Sequence, residues 1–281
     1  MLIVMCDKKT DFSVIMPIHN EAELLKLSLP SVLRLDPTEI ILLFDNCTDN
    51  SYNEAVRITK RMNYFEKTVF KTVTAEEGSE FSFRPTFLRR KGYLMAKHGK
   101  VLKTDADLIL DPKIKKYVPL LGNDDVRIIN FEYLDFPISY RHMIKRFLEK
   151  MKIPLPQSER WLGGNVLFCL EDWKKAFSER QKDQNRRIDL SKVARGEDTL
   201  FHKLLISEKK HKSIIVLTNT LHLRPVESPN RHYLRGQISW NVAQRSFLLV
   251  LVQAIIFNRL KMIKGYLDAK KGIDRTHLVK K

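Results

Sequence analysis

Apolar and polar positions fall into blocks along the first hundred residues, and the blocks switch between two periods. Phe12 to Ile18, FSVIMPI, is an apolar run of strand length, and IHNEAELLKLSLPSVLRL after it sets leucines at helical spacing. Glu39 to Phe44, EIILLF, predicts a second strand, followed by the turn cluster DNCTDNS. SYNEAVRITKRM reads as an amphipathic helix and TVFKTV as a third strand. A helix around Pro85 to Ala96 then leads into Lys100 to Thr104, KVLKT, as a fourth. Such alternation predicts parallel βαβ units and an α/β sheet. Ligands of these sheets bind at the carboxyl ends of the strands. Three polar clusters fall there: His19-Asn20-Glu21, Asp45-Asn46 and Asp105-Ala106-Asp107.

Beyond residue 125 the pattern is mixed. IINFEYLDF reads as a strand, SYRHMIKRFLEKMK as a basic amphipathic helix, WLGGNVLFCL as a turn and strand, and EDWKKAFSER as a helix. RGEDTLFHKLLI opens another helix, SIIVL is a strand, and the last 45 residues are mostly helical by pattern. No repeat, Gly/Ser-rich linker or low-complexity stretch marks a boundary before about residue 225.

Composition narrows the partners. A chain of 281 residues, 43% hydrophobic, can bury a real core, and its net charge of +17 favours phosphate-bearing partners: nucleic acid, anionic lipid or phosphorylated small molecules. Interleaved aromatic and basic residues of a nucleic-acid-binding module are missing, and Lys and Arg spread along the whole chain. Nucleic acid is therefore not expected as a partner. Cys6, Cys47 and Cys169 show neither metal-cage nor disulfide spacing, so a reducing, cytoplasmic setting is expected. MLIVMC lacks the basic start and cleavage site of a signal peptide. Phe247 to Phe257, FLLVLVQAIIF, falls short of the ~20 residues that span a bilayer. Its basic flank fits a core helix with a solvated tail, or a segment lying against anionic headgroups on the inner face of the cell membrane.

The candidate chemistry starts at KTDADLILDP. With 17 aspartates in the chain, chance alone supplies about one Asp-x-Asp, so context must decide. Two hard oxygen ligands at a strand end suit Mg²⁺ or Mn²⁺ held jointly with a diphosphate; the bland alternative is that Asp105 and Asp107 cap the turn into Asp111-Pro112. Asn20 followed by Glu23 has the form of a helix N-cap with its reciprocal acid, and a helix start also offers N–H groups to an anion. Arg84, Arg89, Arg90 and Lys91 are candidate diphosphate grips or a solvated basic face. Glu197-Asp198 offers a general base or an N-cap, and His222 a ligand or a satisfied core side chain.

Taken together, FSVIMPIHNE, LLFDNCTDNS, LRRKGYLMAKHGKVLKTDADLIL, WLGGNVLF, RGEDTLFHKLL and LHLRP occur in the order seen in one family. Over residues 12 to 225 the chain resembles the family 2 glycosyltransferases of GT-A fold. The resemblance implies a Rossmann-like mixed sheet flanked by helices over 1–225, with 226–281 left as a helical basic extension. It implies that Pro17, Asn20 and Glu21 contact the nucleotide, that Asp45 reads the base, and that Arg89, with Gly92, approaches the diphosphate. Asp105 would face the donor's ribose or the metal, Asp107 would ligate a Mn²⁺ or Mg²⁺ ion, and His222 resembles a further ligand of some members. Gly163, Gly164 and Asn165 resemble the acceptor-side turn, with Glu197 beside Asp198, the general base. The implied activity is inverting transfer from a UDP- or GDP-linked sugar to an acceptor hydroxyl or phosphate, including lipid-linked ones. Phe44 stands where the family usually has an aspartate, and Arg90 where Asn is usual. A sugar-phosphate nucleotidyltransferase is the rival enzyme, but its Gly-rich loop is replaced here by IHNEAE.

Overall fold

The computed structural model describes residues 10–81, 83–123, 126–135, 151, 164–178, 201, 212–223, 229–241, 245–256 and 260–273. Within them eight strands form one sheet: β1 (Ser13–Ile18), β2 (Glu39–Asp45), β3 (Thr68–Val73), β4 (Lys100–Thr104), β5 (Leu108–Ile109), β6 (Val126–Asp135), β7 (Asn165–Cys169) and β8 (Lys212–His222). Their order is β3-β2-β1-β4-β7-β6-β8-β5. The first four strands are parallel neighbours, as the alternating pattern predicts. The second half departs from it. β7 runs antiparallel to both β4 and β6, and β8 is parallel to β6 but antiparallel to β5. SIIVL and the start of LHLRP, read separately, are one continuous strand, β8.

Helices α1 (Ala22–Leu33), α2 (Ser51–Arg61), α3 (Arg84–Met95) and α4 (Leu170–Ser178) flank this sheet. Both faces are covered, so β2 is buried along its whole length and shows an apolar run with no polar alternation. Successive side chains nevertheless point to opposite faces. Val14, Met16, Ile18, Leu42 and Leu102 join the core under α1, while Ile15, Leu43, Val101 and Phe168 join the core under α3. Gly92 is where α3 meets the sheet: a Cβ there would lie 2.5 Å from Ile15 Cγ2, so only glycine allows this approach.

Pro17 marks where the site opens. The β1–β4 pairing ends at Ile15↔Lys103, while β1–β2 pairing continues to Ile18↔Phe44. Pro17 has no N–H to give and sits past the last β4 partner, so β4 is released into the turn that carries Asp105 and Asp107.

The helix expected over SYRHMIKRFLEKMK and the segment RGEDTLFHKLLI lie outside the described residues except for Met151 and Phe201. Phe201 is buried, with its ring 5.5 Å from that of Phe168. Cys47 and Cys169 are free thiols. Toward the C-terminus lie α5 (Pro229–Asn241), α6 (Phe247–Ile256) and α7 (Lys261–Lys270). Val250, Ala254, Met262 and Tyr266 give these helices a small core of their own.

Two glycines let α5 and α7 touch backbone to backbone. A Cβ at Gly265 would lie 1.9 Å from the Tyr233 carbonyl oxygen, and one at Gly236 would lie 2.0 Å from that of Met262. Neither helix can yield to such a contact without separating. Gly265→Ala is expected to cost about 1–3 kcal/mol of local stability, read as faster amide hydrogen exchange across α5 and α7 with β1–β4 unchanged. Unchanged exchange in both helices would refute this packing.

Candidate functional site

The loops after β1 and β2 are braced against each other before any ligand is considered. Asn20, in the left-handed region at φ 55°, turns its Oδ1 to accept from Thr48 N at 2.8 Å and Asp49 N at 3.3 Å. His19 donates from Nδ1 to the Asp45 carbonyl at 2.7 Å. Asp49 accepts from Ala22 N at 3.0 Å and Ser51 N at 3.0 Å, and Ser51 Oγ accepts from Glu21 N at 2.8 Å. The N-cap reading of Asn20 with Glu23 is therefore corrected. Glu21 is the N-cap residue, without a side-chain cap bond, and Glu23 pairs instead with Lys26 at 2.6 Å. At the start of α1 the first helical N–H, that of Ala22, meets an anion of the chain itself, the Asp49 carboxylate. Burial of Asp49 pushes its carboxyl up, but the hydrogen bonds from Ser51 and Ala22 outweigh that and leave it below the ordinary 3.8. Burial pushes the Cys47 thiol up, away from thiolate chemistry.

Asp45 is buried and engaged. Arg84 donates to its Oδ1 from Nε at 2.8 Å and Nη2 at 2.6 Å. The same guanidinium reaches the carbonyls of Thr74, Ala75 and Glu77, tying the segment after β3 to the end of β2. Arg84 is thus neither a solvated residue nor a diphosphate grip in this state. Lys91 pairs with Glu77, and Arg90 lies over the Phe81 ring at 5.9 Å. Of the four basic candidates, Arg89 alone stands beside the aspartate pair, with Nη2 3.7 Å from Asp105 Oδ1.

The turn after β4 answers the question its sequence raises. Asp105 N donates to Gly164 O at 3.2 Å, and Leu108 N returns to Asp105 O at 3.4 Å, so backbone groups close this turn. The carboxylate that caps is Asp111. It accepts from Lys113 N at 2.9 Å and from Asn219 N at 2.8 Å, while its own N–H donates to Thr220 Oγ1 at 3.1 Å. These bonds tie the exit of β5 to β8 and set Leu108 opposite His222. His222 Nε2 then stands 3.4 Å from Asp107 Oδ2.

Gly164 belongs to the same place. A Cβ on it would come within 3.2 Å of Asp105 Oδ2 and 3.3 Å of the Tyr133 ring, which itself lies 5.2 Å from the His222 ring. Asn165, one residue on, is fully enclosed opposite Thr104, and neither atom of its amide has a hydrogen-bond partner among the described residues. Gly163, Glu197 and Asp198 lie outside the described residues. Tyr133 and the fully buried Lys103, two positions before Asp105, were not singled out from the sequence. Lys103 could have been flagged as a charge inside an apolar strand; Tyr133 carries no such signal.

Among the described residues no group of three or more ligating side chains forms. Asp107 and His222 make a pair, which is what a metal shared with a diphosphate requires, since the phosphates and water complete its shell.

Comparison with known proteins gives the family and the fold. The family profile described as Glycosyl transferase family 2 matches residues 13–174, more than half of the chain. The chain belongs to glycosyl transferase family 2. Its glycosyltransferase fold is GT-A: residues 1–349 of S. aureus TarS superpose with a TM-score of 0.50 at 14% identity, covering 95% of this chain and 73% of that one. A longer TarS structure gives 0.51 at 14% identity, covering 95% of this chain and 44% of that one. Glucosyl-3-phosphoglycerate synthase from Mycobacterium tuberculosis, in complex with Mn²⁺, UDP-glucose and phosphoglyceric acid, aligns at 0.49 and 16% identity over 81% of this chain and 76% of its own. No curated protein matches by sequence. Membership of the glycosyltransferase family sets aside the nucleotidyltransferase reading.

Two variants separate bracing from chemistry. Asp111→Ala removes a cap and strands the Asn219 N–H, and is expected to cost about 1–3 kcal/mol in urea unfolding, whereas Asp105→Ala changes stability little; equal losses would reverse the assignment. Asp49→Ala is expected to be less stable than the parent at neutral pH. Because the folded Asp49 carboxyl is depressed, that difference holds above 3.8 and closes as pH falls through the folded value. A gap that persists undiminished in acid would overturn this ionic brace.

Proposed function

We propose that this glycosyltransferase is metal-assisted and inverting, and that it moves a sugar from a UDP- or GDP-linked donor to a hydroxyl or phosphate of a lipid-linked or phosphorylated acceptor. The observation that supports it is the turn after β4. Asp111 caps the exit of β5, and Arg89 and His222 stand beside Asp105 and Asp107. Asp107 and His222 would hold Mn²⁺ or Mg²⁺, which when bound supplies Lewis-acid stabilisation of the leaving diphosphate. An imidazole beside a carboxylate suits Mn²⁺ better than Mg²⁺, which favours oxygen alone.

The chain's own residues do the rest. Arg89 adds a fixed positive charge where the diphosphate accumulates negative charge. Asp105 accepts from the ribose hydroxyls, and Pro17, Asn20, Glu21 and Asp45 frame the nucleotide through the braced loops. Gly163, Gly164, Asn165 and Glu197 would shape the acceptor side. The unpartnered amide of Asn165 is costly to bury and holds both a donor and an acceptor in reserve. Asp198 takes the proton as the acceptor oxygen attacks the anomeric carbon. The bond to the phosphate oxygen breaks on the opposite face, the nucleoside diphosphate leaves with the electron pair, and the centre inverts.

The test uses UDP- and GDP-linked sugars, with release of the nucleoside diphosphate as readout and the anomer of the product fixed by NMR. Asp198→Ala is expected to slow turnover by about 10²–10⁴-fold with donor affinity unchanged. Retained turnover would remove Asp198 as the base, and a retained anomer would remove the single displacement.

A further inference from the structure

Helix α6 carries no charged residue, yet much of it faces outward. Leu248 is 68% exposed and Ile255 63%, and Phe247, Leu249 and Val252 are exposed as well. Val250 and Ala254 face inward, and the half-exposed Phe247 ring lies 5.8 Å from that of the buried Tyr266. Leu248, Val252 and Ile255 recur at four and three residues, so they form one stripe. Helix α7 and its two cap residues repeat the spacing with Leu260, Lys264, Leu267 and Lys271, all exposed. Of fourteen exposed large hydrophobic residues among the described ones, eight lie between 247 and 273, so the apolar surface is concentrated in this unit.

The charge along this stretch is mostly positive. From Arg245 to Lys281 the sequence has nine Lys and Arg against two Asp. One of those two, Asp268, is occupied by the Tyr233 hydroxyl at 2.8 Å. An occupant must therefore be apolar at its centre and anionic at its rim. A second copy would satisfy the leucines but bring a charge of +17 against +17. An anionic bilayer meets both demands, since leucines enter the headgroup boundary while lysine stems snorkel outward. Crossing the bilayer is a different matter. No described helix is long and apolar enough to do so, and the ten residues of α6 reach only about 15 Å of a ~30 Å core.

We propose that α6, with the outer face of α7, is a docking surface for an anionic lipid bilayer on which the helices lie in the interface plane. The glycine crossing of α5 and α7 makes this unit a firm support. The proposal deepens the lipid-linked acceptor reading but is tested without donor or acceptor, so either can fail alone.

The experiment is co-sedimentation of the full chain with phosphatidylcholine vesicles, with and without phosphatidylglycerol, at low and high salt. Binding is expected only with phosphatidylglycerol, weakening as salt rises. Leu248→Glu with Ile255→Glu is expected to reduce it by about tenfold or more. Lys264→Ala with Lys271→Ala, which leaves the apolar stripe and the helix intact, is expected to do likewise. Circular dichroism checks that each pair still folds. Equal sedimentation with neutral and anionic vesicles, or none with either, would overturn the proposal. So would dimerisation without lipid that the glutamate pair abolishes, because a second copy would then cover the stripe.

Discussion

The pairing of the two-residue strand β5 with β8 is the constraint on which the site depends. Two residues cannot hold a register by their own ladder, and Asp111 supplies the missing bonds by gripping Asn219 N and Lys113 N together. The grip places His222 across from Leu108 and within reach of Asp107. The cap at this end of β5 is thus carried by Asp111, four residues beyond Asp107. A carboxylate that caps a turn has its lone pairs committed, whereas the turn at Asp105 closes through its backbone.

The same division of labour runs through the other strand ends. Asn20, Asp49 and Ser51 bind loop to loop, and Arg84 binds the end of β2 to the segment after β3. Polar residues at a ligand-binding edge thus serve first as scaffold. Their hydrogen bonds hold Pro17, Glu21 and Asp45 in place, so a nucleotide would meet a surface already ordered, with less entropy to lose on binding. Arg89, Asp105, Asp107 and His222 are the groups left beside one another where β4 ends.

Much of this was legible in the sequence, for identifiable reasons. Parallel strands buried on both faces write themselves as apolar runs, as in EIILLF, whereas KVLKT, with Lys100, Lys103 and Thr104, is read from its place in the alternation. The pairing of β7 between β4 and β6 could not be read, because antiparallel and parallel partners of a buried strand give the same pattern. Asn20 misled because its type and spacing fit a cap, while the left-handed backbone that turns its side chain to Thr48 and Asp49 leaves no mark in composition. Asp111 was named only as part of a turn, since its partner Asn219 lies over a hundred residues away. The outward face of α6 was ambiguous for a related reason: an apolar run shows that a helix wants cover and says nothing of whether the chain provides it.

The most direct test of the account is calorimetric titration of UDP and GDP into the protein, with and without Mn²⁺, repeated on Asp107→Ala. One nucleotide is expected to bind tightly, only with the metal present, and Asp107→Ala is expected to lose that binding while remaining folded. Binding that ignores both metal and Asp107, or no binding of either nucleotide, would contradict the claim that the turn after β4 is the donor's metal site.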